Sequence, residues 1–390
     1  MRRFKSDIVF TLSGAFLKNG IVTTDDFGKI LEVKSSQYIG AESDVEYFEG
    51  AICPGFINAH CHLELSFAKE KIEKAKGINH FISSLEEQKR LFNDIQKLEF
   101  AEIAEQQMYE SGIVGVGDIC NTTLTSKLKA KKHLHYYNFI EVFGSLESRA
   151  ETNFLHAKNV FHTMESPKSI VPHAPYSVSI PLFQKIADFD GNISGVISIH
   201  HLESLDELDF FQYATGEIAD RLKSWNIPLP TFIPTKNSPF DLVKTFLKSS
   251  QTALLVHNTF LTKEEMQHIL QSYPSAFFVL CPLSNMYIGQ NRPDYGLFRT
   301  VSDKVCLGTD SLASNDQLSI LEEMKQIQKD VPDLDLETLL RWACKNGAEA
   351  LKFTQSGSIE KGKIPGLVHL KNLNPEQMKL HPEVKPTRII

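Results

Sequence analysis

The stretch PGFINAHCHLELS, Pro54 to Ser66, places two histidines one residue apart at the end of an apolar run. Successive side chains of an extended chain alternate between faces, so His60 and His62 share a face while Cys61 points away. Both imidazoles can therefore converge on one ion. The run before them, AICPGFIN, reads as a short strand with Pro54 near its start, where a proline is tolerated. Two ligands do not complete a site that needs three or four, and an isolated pair reads equally well as polar side chains in a loop. The rest of the chain has to supply the others.

Composition narrows the setting. The chain has 390 residues, 42% of them hydrophobic, enough for one large domain and a small one. No stretch approaches the apolar length of a membrane span. The segment MRRFKSDIVFTLSGAFLKNG begins basic and turns apolar, but Asp7 interrupts it and no small-residue cleavage site follows, so it reads as a first strand. The net charge is -7 with dispersed Lys and Arg, which disfavours a nucleic-acid backbone and points to a small-molecule partner. Cys53, Cys61, Cys120, Cys281, Cys306 and Cys344 show no CxxC spacing and suggest buried free thiols in a reducing, cytoplasmic compartment.

Eight apolar runs recur along the chain: AICPGFINAH, IVGVGDIC, LHYYNFIEVFG, SIVPHAP, GVISIHH, ALLVHN, AFFVLCP and VCLGTDS. Amphipathic segments such as ISSLEEQKRLFNDIQ, KEEMQHILQSY and QLSILEEMKQIQK lie between them, and strands alternating with helices imply parallel βα units. Eight units suggest an α/β fold of the (β/α)8 TIM-barrel type over residues 51–356. A doubly wound sheet usually has fewer strands and a glycine-rich phosphate turn that is missing here. Residues 1–50, punctuated by KNG and DDFGK as hairpin signals, and the tail 357–390 are expected to form a small β-sandwich domain.

In a barrel, catalytic groups sit at the C-terminal ends of strands. His60 and His62 end the first run, His173 the fourth, His200 and His201 the fifth, His257 the sixth and Asp310 the eighth. Imidazole and carboxylate donors without thiolate suit Zn or Fe(II) in a site that keeps a position open.

The segments PGFINAHCHLE, VPHAPYSVS, SIHHLES, LLVHN, CPLSNMYIG and LGTDSLASN, in this order, resemble the amidohydrolase superfamily in its branch of nucleoside and heterocycle deaminases and related chlorohydrolases. The resemblance implies one metal bound by His60, His62, His200 and Asp310, and often a homodimer. The carboxylated lysine of binuclear members is missing from SIVPHAP, which implies a mononuclear site. The deaminase pattern H-x-x-E fits His200 with Glu203 and leaves His201 as a structural residue on the outer face.

On that footing Asp310 both ligates the metal and takes a proton from the attacking water, and His257 orients that water. Glu203 delivers a proton to the ring nitrogen beside the attacked carbon, with an exposed glutamate at a helix start as the plain alternative. His173 resembles a position that hydrogen-bonds a purine-like ring, and Glu64 either braces its loop or meets substrate. The segment GEIADRLKSWNIPLPTF is expected to cover the pocket, with Arg221 and Trp225 as candidate contacts. CPLSN lacks the second cysteine of the P-C-x-x-C deaminases of another fold. The rival readings are a hydrolase acting on a non-aromatic C–N bond or another leaving group, and an inactive binding protein. INAHCHLELS is similar to the matching segment of aminodeoxyfutalosine deaminases, and aminodeoxyfutalosine is the leading specific substrate.

Overall fold

The computed structural model describes residues 1–37, 44–230 and 238–390. Among the described residues, fourteen strands fall into three sheets. Both termini feed one of them, in the order β14-β13-β4-β1-β2-β3: β1 (Arg2–Val9), β2 (Leu17–Thr24), β3 (Ile30–Ser35), β4 (Glu46–Pro54), β13 (Leu367–Lys371) and β14 (Lys385–Arg388). Among the described residues the strands from both termini thus pair in one six-stranded sheet. DDFGK makes the β2–β3 turn, where Asp25 Oδ1 accepts from the N–H of Phe27 and of Lys29, both at 2.9 Å, and Gly28 has φ +85°. KNG is no turn: it lies inside β2, where Gly20 leaves room for the Val9 side chain on the neighbouring strand.

The other two sheets are parallel and four-stranded. One holds β5 (Phe56–Cys61), β6 (Ile113–Cys120), β7 (His135–Val142) and β8 (Lys168–Pro172). The second holds β9 (Val196–His201), β10 (Thr252–His257), β11 (Ala276–Leu280) and β12 (Val305–Leu307). Helices connect consecutive strands, so the molecule is a mixed α/β fold. Every residue of β5, β6, β9 and β11 is buried, which is why these runs are apolar without alternation.

The first apolar run serves two sheets. Gly55 divides it into β4 and β5, and a Cβ there would lie 2.8 Å from the Pro365 carbonyl oxygen. The eighth run is shortened at Gly308, where a Cβ would lie 2.9 Å from His60 Cβ. The parallel sheets also bond to each other at both ends: Asp310 N–H donates to the His60 carbonyl at 3.1 Å, and His200 N–H to the His173 carbonyl at 2.9 Å.

Two amphipathic segments form as expected, Lys263–Ser272 burying Met266 and Ile269, and Ile320–Asp330 burying Leu321, Met324 and Ile327. ISSLEEQKRLFNDIQ breaks instead between helices Ile78–Leu91 and Asp94–Glu110, because Asn93 and Gln96 close a capping box that starts the second. Among the described residues no helix is long and apolar enough to cross a membrane, and all six cysteines are buried and free.

Candidate active site

β5 delivers His60 fully buried, and His62 follows one residue past its end. Their Nε2 atoms are 3.1 Å apart. Asp310 Oδ1, from the loop after β12, lies 3.7 Å from His60 Nε2 and 3.4 Å from His62 Nε2. His60, His62 and His200 each offer a ring nitrogen, all within 4.8 Å of one another. Donors about 2.0–2.1 Å from a tetrahedral zinc are themselves about 3.4 Å apart, so the separations among His60, His62 and Asp310 match the edges of a coordination shell. Burial first, then the neighbouring imidazoles, holds the His60 pKa well below its ordinary value, and burial brings His62 to about 4. Both rings are then neutral at pH 7, the form that ligates. The residues fit a divalent metal.

Hydrogen bonds on the far side of His200 and Asp310 set the direction of these two donors. His200 Nδ1–H donates to the His173 carbonyl at 2.8 Å, which leaves Nε2 bare. Ser284 and Ser314 hydroxyls both donate to Asp310 Oδ2 at 2.6 Å, leaving Oδ1 for the histidines. Burial would raise the Asp310 pKa, but His62, His257 and the two serines outweigh it and the net shift is downward. Asp310 has φ +56° and His257 φ +75°, left-handed conformations uncommon for residues other than glycine. Such strain tends to gather at functional sites.

His257, at the end of β10, donates Nδ1–H to Asn285 Oδ1 at 2.9 Å. Its Nε2 is buried without a hydrogen-bond partner among the described residues and lies 3.6 Å from Glu203 Oε1. Burial first, then Asp310 and Glu141, pushes the Glu203 carboxyl up to about 7 against the pull of His200. Glu203 is therefore partly protonated near neutral pH. His173 packs its ring 4.7 Å from that of His200 and pairs Nδ1 with the Ser177 hydroxyl at 2.7 Å.

The remaining expected residues lie apart from this centre. His201 faces away, its Nδ1 on Asn258 Oδ1 at 3.1 Å and its Nε2 3.8 Å from Glu265. Glu64 is buried with both oxygens engaged, Oε1 by Asn121 N–H at 2.6 Å and Oε2 by the Thr122 hydroxyl at 2.7 Å. Of its two readings, brace and substrate contact, this geometry supports the brace. Arg221, on the helix Gly216–Ser224, donates to Asn79 on the helix Ile78–Leu91, and Trp225 is exposed. Among the described residues neither makes a hydrogen bond or ion pair to the site histidines, and Thr231 and Phe232 of the expected cover lie outside the described residues.

Four residues of the centre escape a reading focused on histidines. Glu141, next to last in β7, sits 3.7 Å from His200 Nδ1, and its Oε1 has no hydrogen-bond partner among the described residues. Its signal was an acid near the end of an apolar run, YNFIEVFG. Ser284, Asn285 and Ser314 lie in CPLSN and DSLASN, where only their neighbours drew attention.

A model of the amidohydrolase family matches residues 51–387. The adenosine deaminase of Helicobacter pylori is 27% identical over 355 residues, 87% of this chain and 85% of that protein. The aminodeoxyfutalosine deaminase of Nitratiruptor sp. is 27% identical over 338 residues, 82% of this chain and 78% of that protein. The crystal structure of Helicobacter pylori aminofutalosine deaminase in complex with methylthio-coformycin matches with a TM-score of 0.82 at 23% identity, covering 100% of both chains. That likeness puts the fold in the TIM-barrel class. With the matched segment running from the strand that feeds the histidine pair into the last strand of the terminal sheet, the chain belongs to the amidohydrolase family.

Proposed function

We propose that this protein is a metal-dependent hydrolytic deaminase that releases ammonia from an amino-substituted purine-like ring, carried by an adenine nucleoside derivative with aminodeoxyfutalosine as the first candidate. The observation that carries the reading is the pairing of Glu203, its pKa raised to about 7, with the bare Nε2 of His257 beside the histidine and aspartate cluster. An acid protonated near neutrality suits attack on an aromatic amidine carbon, whose ring nitrogen must gain a proton. The relatives named adenosine and aminodeoxyfutalosine deaminases support the substrate class.

His60, His62, His200 and Asp310 would hold one divalent ion, zinc first and iron second by their donor chemistry. Such an ion supplies the Lewis acidity that makes a water nucleophilic at neutral pH. Asp310 Oδ1 takes one proton from that water, and His257 Nε2 orients it. Glu203 donates to the ring nitrogen as the water oxygen bonds to the adjacent carbon. The carbon–nitrogen bond then breaks: the proton held by Asp310 leaves with the amine as ammonia, and the remaining hydroxyl proton restores Glu203. His173 holds the ring, and Glu64 keeps the loop after β5 tied to the loop after β6.

The fold reading that goes with this is one closed barrel of β5 to β12. It is supported by a single apolar cluster that draws Ile57, Ile119, Phe139, Val171, Ile197, Val256, Val279 and Cys306 from all eight strands. The terminal sheet is read as a small sandwich domain whose edges curl together, since Gly362 N–H donates to the Ile30 carbonyl at 2.8 Å and a Cβ at Gly28 would meet Ile390 Cγ2 at 2.7 Å. Gly55 marks its boundary better than residue 50, because β4 runs to Pro54. The buried free cysteines support a reducing, cytoplasmic setting.

The test is ammonia release from adenine nucleosides, aminodeoxyfutalosine, guanine, cytosine and pterins by metal-analysed wild type beside Glu203→Gln. One substrate should yield ammonia, and the variant should keep its metal and lose activity by about 10²–10⁴-fold. Bound metal with no ammonia from any of them would return the reading to a hydrolase with another leaving group.

A further inference from the structure

Glu203 reaches the site from a tight turn. The chain leaves β9 at His201, passes Leu202 at φ +49°, and enters the helix Leu205–Tyr213 with Ser204 as its N-cap. A leucine stays in the left-handed region only where its surroundings hold it there. The segment Ser204-Leu205-Asp206-Glu207 has the S-x-x-E form of a capping box.

The box is not closed in the ordinary way. Ser204 makes no side-chain cap hydrogen bond. Glu207 Oε2 instead accepts the N–H of Glu203 at 3.3 Å, one residue upstream of the N-cap. Glu207 is 0% exposed, and its Oε1 has no hydrogen-bond partner among the described residues. Burying a carboxyl with one oxygen unmatched is costly, whereas the Ser204 hydroxyl alone suffices to cap a helix. The placement of Glu207 therefore answers to the turn rather than to the helix.

We propose that Glu207 is a positioning residue that holds the backbone N–H of Glu203 at the turn after Leu202 and so aims the Glu203 carboxyl beside His257. The role rests on the deaminase reading, in which Glu203 is the proton donor. Among the described residues Glu207 makes no hydrogen bond or ion pair to His60, His62, His200 or Asp310, and in this role it acts through Glu203. A side chain misplaced by about 1 Å can lose about 10²-fold in rate.

The test compares the zinc-loaded full chain as wild type, Glu207→Ala and Glu207→Gln by crystallography, metal analysis and steady-state ammonia release. Glu207→Asp, which withdraws the carboxylate by one methylene, stands in if the alanine variant does not fold. In Glu207→Ala the turn at 202–203 should relax, the Glu203 carboxyl should leave its place beside His257, and kcat per bound metal should fall about 10–100-fold with KM within about threefold. Glu207→Gln, whose amide oxygen accepts the same N–H, should restore both the position and most of kcat. A Glu203 carboxyl that stays in place in Glu207→Ala, or a kcat per bound metal that does not change, overturns the proposal. If wild type releases no ammonia from any substrate, the deaminase reading fails separately, and the position of Glu203 in the variant crystals still decides the clamp.

Discussion

His257 can present a bare Nε2 only while Asn285 Oδ1 holds the proton on Nδ1. Asn285→Ala frees the ring to turn and to exchange tautomers, and ammonia release should fall about 10–100-fold while metal content stays near that of wild type. Kinetics paired with metal analysis checks it, and a loss of metal in step with activity would show a wider collapse. Glu203 makes a prediction about stability as well. Its carboxyl is raised from 4.5 to about 7 in the folded chain, so between those values the unfolded state has lost the proton and the folded state keeps it. The contribution is full below pH 4.5, declines as pH rises, and is gone above about 7. In metal-free protein, denaturant titrations should show Glu203→Gln gaining on wild type across that window by up to about 3 kcal/mol. A constant gap between the two would mean the carboxyl is not raised in the fold.

Elements contribute by bringing a second hydrogen bond to His200 and to Asp310. The helix Pro282–Gly289 carries Ser284 and the loop after β12 carries Ser314, and both hydroxyls hold Asp310 Oδ2 at 2.6 Å. Ser284→Ala should weaken zinc binding about 10–100-fold in a competitive chelator titration with little change in the fold. Beneath the histidine pair, Asp118 on β6 accepts Leu63 N–H at 2.8 Å and pairs with Lys129 from the short helix Ser126–Lys129, with both side chains almost wholly buried. Lys129→Met leaves Asp118 charged and unpaired, and urea unfolding should register a loss of about 3–5 kcal/mol. Unchanged stability would mean that Asp118 takes up a proton at little cost when its partner is removed. The break at Asn93 teaches the same lesson for helices: the apolar pattern runs through it, and the cap decides where one helix stops and the next begins.

At the scale of the whole molecule the candidate metal centre draws donors from the ends of β5 and β9 and from the loop after β12, so a bound ion ties together segments from both parallel sheets. Anything that binds only the folded state stabilises it by mass action, by about 2.7 kcal/mol at a free concentration one hundred times Kd. Chelation should therefore lower Tm, and added zinc should restore it in a concentration-dependent way; calorimetry in which chelator and zinc leave Tm unmoved would count against the centre. The amino-acid order alone determined what depends on direction along the backbone. Alternation put His60 and His62 on one face, the apolar runs placed His173, His200, His257 and Asp310 near strand ends, and the family-like spacing linked Glu203 to His200 and turned His201 outward. Tertiary structure decided what depends on partners far away in the chain. Asn58, for example, bonds Thr309 across 251 residues at 2.7 Å. The engagement of both Glu64 oxygens, the approach of Glu141 to His200, the serines behind Asp310, and the division of one apolar run at Gly55 are all of this second kind. The physical reason is that periodicity along a chain specifies which way a side chain faces, whereas a hydrogen bond or a close contact exists only once distant segments have packed against one another.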